Sequence, residues 1–395
     1  MNTHRTPLSI YLHIPFCRHR CAYCDFNTYA GQDEHIAEYV NALRNEIQIV
    51  GESAAEKLKV HTIFFGGGTP TLLNASQFES ILESLETHFD LVNPEVTIEA
   101  NPGTVTFETL RDLRSLGINR ISFGAQSANP DELRMLERAH TYFDVIHAVT
   151  WARRAGFDNL SLDLIFGLPH QALEDWSASV KLVSGLNPDH FSLYALTMEH
   201  GTPFGRWSSR GLMPTPNPDM AAEMYEWADE FLSGLGYRQY EISNWTKPGK
   251  ECVHNLQYWR NLDYLGLGAG AHGYVEGVRY SNLLRIKTYI ERFVTPKLQS
   301  PNLGYPLTPA TVNHHRNTPI ENMQETMITG LRLTREGVSN PDFRSRFGQG
   351  IEDAFPKEVD ELIQFGLLEW VNGKTLRLTP DARLLANQVF MRFVG

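Results

Sequence analysis

Between residues 8 and 200 the chain alternates short apolar runs with longer amphipathic stretches, and the rhythm does not change. Runs at Leu8–Ile14, 61–65, 96–100, 120–124, Leu160–Phe166 and 190–196 have the length of strands. Between them, 34–50, 77–89, 106–116, 143–155 and 173–186 carry the spacing of helices, and Leu116-Gly117 and Ala155-Gly156 supply glycine stops. Strands alternating with helices of this length build parallel β/α units. Six such units predict an α/β fold, a partial (β/α)6 barrel, with chemistry at the C-terminal ends of its strands.

The rhythm stops near residue 205, which predicts a barrel over 1–205 and a connecting region over 206–297. In that region a helix at about 218–235 precedes an irregular stretch rich in Gly, His and aromatics. A Pro/Asn-rich segment, 298–318, reads as a linker. The last part, 319–395, reads as a smaller α+β domain, helical and winged-helix-like, with a hairpin over 368–378 turning at Asn372-Gly373. A net charge of −11 argues against nucleic acid as partner, and the C-terminal domain, with nine Lys/Arg against eleven Asp/Glu, adds no basic surface. No apolar run is long enough to cross a bilayer, and Leu8–Leu12 is too short for a signal core. The expectation is a cytoplasmic protein whose membrane contact, if any, is transient.

Three of the four cysteines fall within eight residues, Cys17-Arg-His-Arg-Cys21-Ala-Tyr-Cys24, directly after the first strand. A disulfide framework would spread its cysteines, so the cluster points to a metal. Three thiolates suit three irons of a 4Fe–4S cubane and leave the fourth open. Zinc would need a fourth ligand such as His13 or His19. Further polar and glycine residues stand where a barrel places its site: Gly66–Gly68 after the second strand, Glu99 at the end of the third, Gln126 after the fourth and Asp163 in the fifth. Glycines there let a ligand approach the backbone, and carboxylates accept from hydroxyls or amines.

Cys-x3-Cys-x2-Cys at the end of the first strand, with Tyr23 before the last cysteine, resembles the radical S-adenosylmethionine (SAM) superfamily. The resemblance implies that the open iron chelates the methionine end of SAM, and that an electron from the cluster can cleave SAM to a 5′-deoxyadenosyl radical. It narrows to the branch of oxygen-independent coproporphyrinogen III dehydrogenase through Tyr11-Leu-His13-Ile-Pro-Phe-Cys17, Gly66–Thr71, Thr97-Ile-Glu99-Ala-Asn101-Pro102, Phe123-Gly-Ala-Gln126-Ser127 and Asp163-Leu-Ile-Phe-Gly167-Leu-Pro169. Carried over residue by residue, Tyr11, Tyr23, Gly67, Gly68, Thr69, Glu99, Gln126, Arg138 and Asp163 would line SAM.

Two departures argue against the dehydrogenase itself. Phe26 stands where that enzyme has a further cysteine, and its long N-terminal extension has no counterpart before the first strand. His254-Asn255-Leu256-Gln257-Tyr258-Trp259 is similar to the His-Asn-x-x-Tyr-Trp motif of HemW-type heme chaperones. That resemblance implies heme as a third cofactor, held near His254, Tyr258 and Trp259, and heme-receiving proteins as partners. An electron donor joins them if SAM is cleaved, a point the sequence leaves open. The same residues are also those of a helix cap and an aromatic core, and Cys252 is either a soft ligand or a buried thiol. Gly268-Ala-Gly270-Ala-His-Gly273 fits the dinucleotide spacing but lacks the strand, helix and acidic residue that binding would require.

Overall fold

The computed structural model describes residues 7–294 and 304–394. Its main sheet contains, in chain order, β1 (Leu8–Ile14), β2 (Lys59–Gly67), β3 (Asp90–Ala100), β4 (Arg120–Gln126), β5 (Leu160–Phe166) and β6 (His190–Ala195). Six more strands follow: β7 (Arg238–Glu241), β8 (Asn244–Thr246), β9 (Tyr264–Leu267), β10 (His272–Val275), β11 (Val278–Asn282) and β12 (Thr311–Arg316). Among the described residues the sheet order is β12-β11-β10-β9-β1-β2-β3-β4-β5-β6-β8-β7. Strands β9 and β1 to β6 run parallel, and the outer strands on both sides are antiparallel.

Period-two alternation divides each barrel strand into an apolar outer and a polar inner face. On β1, Leu8, Ile10, Leu12 and Ile14 join Tyr39, Leu43 and Ile47 of the helix Ile36–Ser53 in the main core, while Ser9, Tyr11 and His13 occupy the alternate positions. On β5 the alternate set is Ser161, Asp163 and Ile165. The expected glycine stops close their helices in the left-handed region, Gly117 at φ 91° and Gly156 at φ 93°.

The sheet does not end at residue 205. The stretch read as irregular supplies β7 to β11, including a seventh parallel strand, β9, beside β1. These strands are only 3–5 residues long, too short for periodicity to register. Of the segment read as a linker, 298–303 lies outside the described residues, and Thr311–Arg316 is the edge strand β12.

The C-terminal unit has its own core, built on Met327, Phe343, Val359, Leu376 and Phe390. A three-stranded antiparallel sheet of Val338–Ser339, Thr375–Leu378 and Leu368–Val371 packs with its helices. The hairpin turns at Asn372 and Gly373, both at positive φ. Against the barrel, Arg332 reaches the fully buried Glu241 at 3.2 Å and Arg260 makes a bidentate pair with Glu336 at 2.7 Å. Among the described residues no helix is long and apolar enough to cross a membrane.

Candidate functional site

After β1 the two-residue strand Phe16–Cys17 pairs with Tyr29–Ala30, which closes a loop bearing Cys21 and Cys24. Asn27 pins the loop by donating to the carbonyls of Ala269 and Leu284, both at 3.0 Å. Cys17 is buried, Cys21 and Cys24 are half-buried, and the Thr69 hydroxyl lies 3.7 Å from the Cys17 sulfur. Burial raises the thiol pKa values of Cys17 and Cys24, so iron would displace protons there.

The two candidates for a fourth zinc ligand are engaged elsewhere. His13 is held through both ring nitrogens, by Tyr11 Oη and the Asn27 carbonyl, each at 2.9 Å. His19 turns to Glu137 at 3.2 Å. A cubane takes one thiolate per iron and does not ask the three sulfurs to converge on one point.

Beside the loop opens a cavity of about 410 Å³, bounded by the ends of β2 to β6. All three cysteines line it, with Tyr23, Gly67, Gly68, Thr69, Glu99, Gln126, Arg138 and Asp163. Tyr11 does not: it is half-buried, its hydroxyl 2.9 Å from His13 Nδ1. Ser122, Asn101 and Tyr194 line the cavity without having been singled out. Inward parity on β4 and β6 was the available signal for Ser122 and Tyr194, and Asn101 stands inside the motif ending in Pro102.

The glycine turn is required sterically. Gly67 has φ 106°, and a Cβ there would fall 2.4 Å from the His13 ring; on Gly68 it would fall 2.5 Å from the Phe16 carbonyl oxygen. The turn's amides are spent internally, Gly67 on Glu99 Oε2 (3.0 Å), Gly68 on the Ile14 carbonyl (2.9 Å) and Thr69 on that of Phe16 (2.8 Å). It therefore offers a ligand close approach, its own N–H groups being already engaged. Gly66 and Gly124 keep the interior clear, since a Cβ would meet Glu99 Oε2 at 3.0 Å on the first and Gln126 Nε2 at 2.7 Å on the second.

Two carboxylates form the floor. Burial, with the Asp163 charge adding, pushes Glu99 up to about 7. Burial also raises Asp163, against hydrogen bonds from Ser192, Ser122 and Ser161. On the wall, Arg138 donates to the Gly124 carbonyl at 2.9 Å and lies 3.5 Å from the Cys21 sulfur, and its buried Nε has no partner. Gln126 holds φ 66°, a strained conformation for a non-glycine residue. Three thiols, two carboxylates and an orphaned guanidinium N–H around one cavity fit the cluster and a ligand with hydroxyl, amino and carboxylate groups.

His254, Tyr258 and Trp259 lie elsewhere. The helix Val253–Trp259 sits against the N-terminal halves of β1 to β3, where Glu95 accepts from the amides of Val253 and His254 at 3.3 and 3.1 Å. His254 is buried, its Nδ1 2.8 Å from Thr62 Oγ1 and its Nε2 2.7 Å from Tyr258 Oη. Neither nitrogen is open to a metal. Arg332 covers the Trp259 ring at 4.4 Å. In this structure these side chains plug the barrel bottom and seat the C-terminal unit. Cys252 is the buried thiol, pushed up to about 12 by burial.

Residues 11–183 match the model of the radical SAM superfamily, and residues 317–385 match that of the HemN C-terminal domain. Heme chaperone HemW of Bacillus subtilis is 39% identical over 392 residues, 98% of this chain and 99% of that protein. HemW of Haemophilus influenzae is 38% identical, covering 98% of each. Coproporphyrinogen III oxidase (HemN) of Escherichia coli, a radical SAM enzyme, superposes with a TM-score of 0.82 over 98% of this chain and 90% of its own, at 24% identity, a likeness of fold. With barrel, cysteine loop and C-terminal unit matched from end to end, the chain belongs to the HemW family within the radical SAM superfamily.

Proposed function

We propose that this chain is a heme chaperone of the cytoplasm that binds heme and passes it to heme-dependent proteins, with a 4Fe–4S cluster on Cys17, Cys21 and Cys24 and SAM in the adjoining cavity. The observation that carries this reading is the end-to-end likeness to proteins named as heme chaperones. Phe26, 64% exposed at the lip of the cavity, supports it, because the dehydrogenase pattern calls for cysteine there.

When bound, the cluster would supply an open iron for the methionine end of SAM and an electron for its cleavage. Around it, Glu99 and Asp163 accept from hydroxyl or amino groups, Arg138 meets a carboxylate, and Gln126 offers both donor and acceptor. A bond from His254 to heme iron would require its contacts to Thr62 and Tyr258 to open, so we assign His254 to the fold and seek heme elsewhere.

The test is anaerobic reconstitution with iron and sulfide, titration with heme, and separate incubation with coproporphyrinogen III, SAM and a reductant. A Soret band saturating at stoichiometric heme, transfer of that heme to an apo-hemoprotein, and no porphyrinogen product are expected. Turnover of coproporphyrinogen without stable heme binding would overturn the reading.

A further inference from the structure

Beneath Asp163 a hydrogen-bonded chain descends through the barrel to residues that line no part of the cavity. Ser122 donates to both carboxylate oxygens at 3.0 Å, and Ser161 approaches Oδ1 at 3.3 Å. Ser161 Oγ lies 2.9 Å from His190 Nδ1, and His190 Nε2 lies 2.9 Å from Tyr240 Oη. Ser161, His190 and Tyr240 are all buried, the first two completely.

The chemistry of these groups gives the chain a direction. An ionised carboxylate only accepts, so Ser161 donates to Asp163 and must accept from His190. That places the imidazole proton on Nδ1 and leaves Nε2 to accept from the Tyr240 hydroxyl. Burial and the neighbouring Arg120 hold His190 neutral. Every donor then points toward Asp163: Tyr240 to His190, His190 to Ser161, Ser161 to the carboxylate. Polarised chains of this kind strengthen their terminal bond.

We propose that Ser161, His190 and Tyr240 are positioning residues, a buried relay that holds Asp163 ionised and aimed into the cavity and so sets the affinity for a ligand with hydroxyl and amino donors such as SAM. The proposal rests on the assignment of the cavity to SAM. The other charged or titratable groups facing Asp163 are Glu99 from β3, Arg120 from β4 and Tyr194 from β6. Glu99 opposes the carboxylate's charge and Arg120 favours it.

The experiment is equilibrium dialysis of SAM against the full-length, cluster-reconstituted protein between pH 6.5 and 9, in the wild type, Ser161→Ala and Tyr240→Phe. Both substitutions remove little more than a hydroxyl, and thermal melts confirm folding. Ser161→Ala weakens SAM about tenfold at pH 6.5, as losing one hydrogen bond to a charged group does, and Tyr240→Phe, one link further out, about threefold. Both ratios shrink as the pH rises, because burial raises Asp163 and rising pH ionises it without the relay. Ratios of one throughout, or deficits that ignore pH, overturn the relay while leaving SAM binding intact. Failure of the wild type to bind SAM overturns the site assignment and the relay with it.

Discussion

Replacing His254 with alanine separates the two roles its sequence motif allows. Thr62 Oγ1 donates to Ser9 Oγ at 2.6 Å, so it accepts from His254 Nδ1–H, and Nε2 accepts from Tyr258. His254→Ala therefore removes the partner of the half-buried Tyr258 hydroxyl, a cost of about 1–3 kcal/mol. It also removes an imidazole packed 5.1 Å from the Phe64 ring centroid, a large-to-small loss of about 2–4 kcal/mol. The sum, about 3–7 kcal/mol, is a large share of the roughly 5–15 kcal/mol that stabilises a typical domain. Urea unfolding followed by circular dichroism should show that drop, and Tyr258→Phe a smaller one of about 1–2 kcal/mol. Heme titrated into the fraction of His254→Ala that remains folded should give a wild-type Soret band. A variant with an unchanged unfolding midpoint and no Soret band would refute the argument and make His254 an open ligand.

Below about pH 6.5 the buried histidines should destabilise the protein, against Glu99, whose raised value works in the opposite sense. Burial pushes His254 down to about 3 and His140 down to about 4. Below the ordinary histidine value the unfolded chain takes up protons that the folded one refuses, so stability falls as pH drops from about 6.5 toward those values. Each histidine loses about 2 kcal/mol between pH 7 and 5, and unfolding midpoints at the two pH values check it, the His254 share vanishing in His254→Ala. Gly67→Ala forces a Cβ into the His13 ring at φ 106°; it should cost about 1–3 kcal/mol and lower iron bound per chain on reconstitution, whereas Gly234→Ala, in open space at a helix end, should leave both unchanged.

The parallel barrel was legible because each of its strands and helices is long enough to display its own period. The cavity was legible because barrel topology sends the ends of β2 to β6 to one rim, where Glu99, Gln126 and Asp163 already stood at marked positions. Strands of 3–5 residues gave no such signal, so the region after 205 read as irregular although its register with β1 and β6 extends the sheet. Tyr11 is inward by parity but stands three residues before the end of its strand, and depth along a strand is set by the sheet's stagger, which a linear reading does not give. The glycine turn was located correctly, and only its hydrogen bonds, made to Glu99, Ile14 and Phe16, were beyond a linear reading.

The His254 motif allows two readings, and the sequence alone does not choose between them. Its residue types, an imidazole with two aromatics, suit a porphyrin as well as they suit a buried plug, so composition alone does not discriminate. Position along the strands does. The cysteine loop, Glu99 and Gln126 belong to the C-terminal ends of their strands, the face where barrels do chemistry. Thr62 and Ser9, which hold His254, stand near the starts of theirs, the face that serves stability. Glu95 has the same logic on the strand that bears Glu99. Four residues nearer the start, on the same inner face, it caps the plug helix Val253–Trp259, while Glu99 holds the Gly67 amide at the cavity floor. The two carboxylates differ in role because the barrel's two ends differ in what they must bind: one a ligand, the other the rest of the chain.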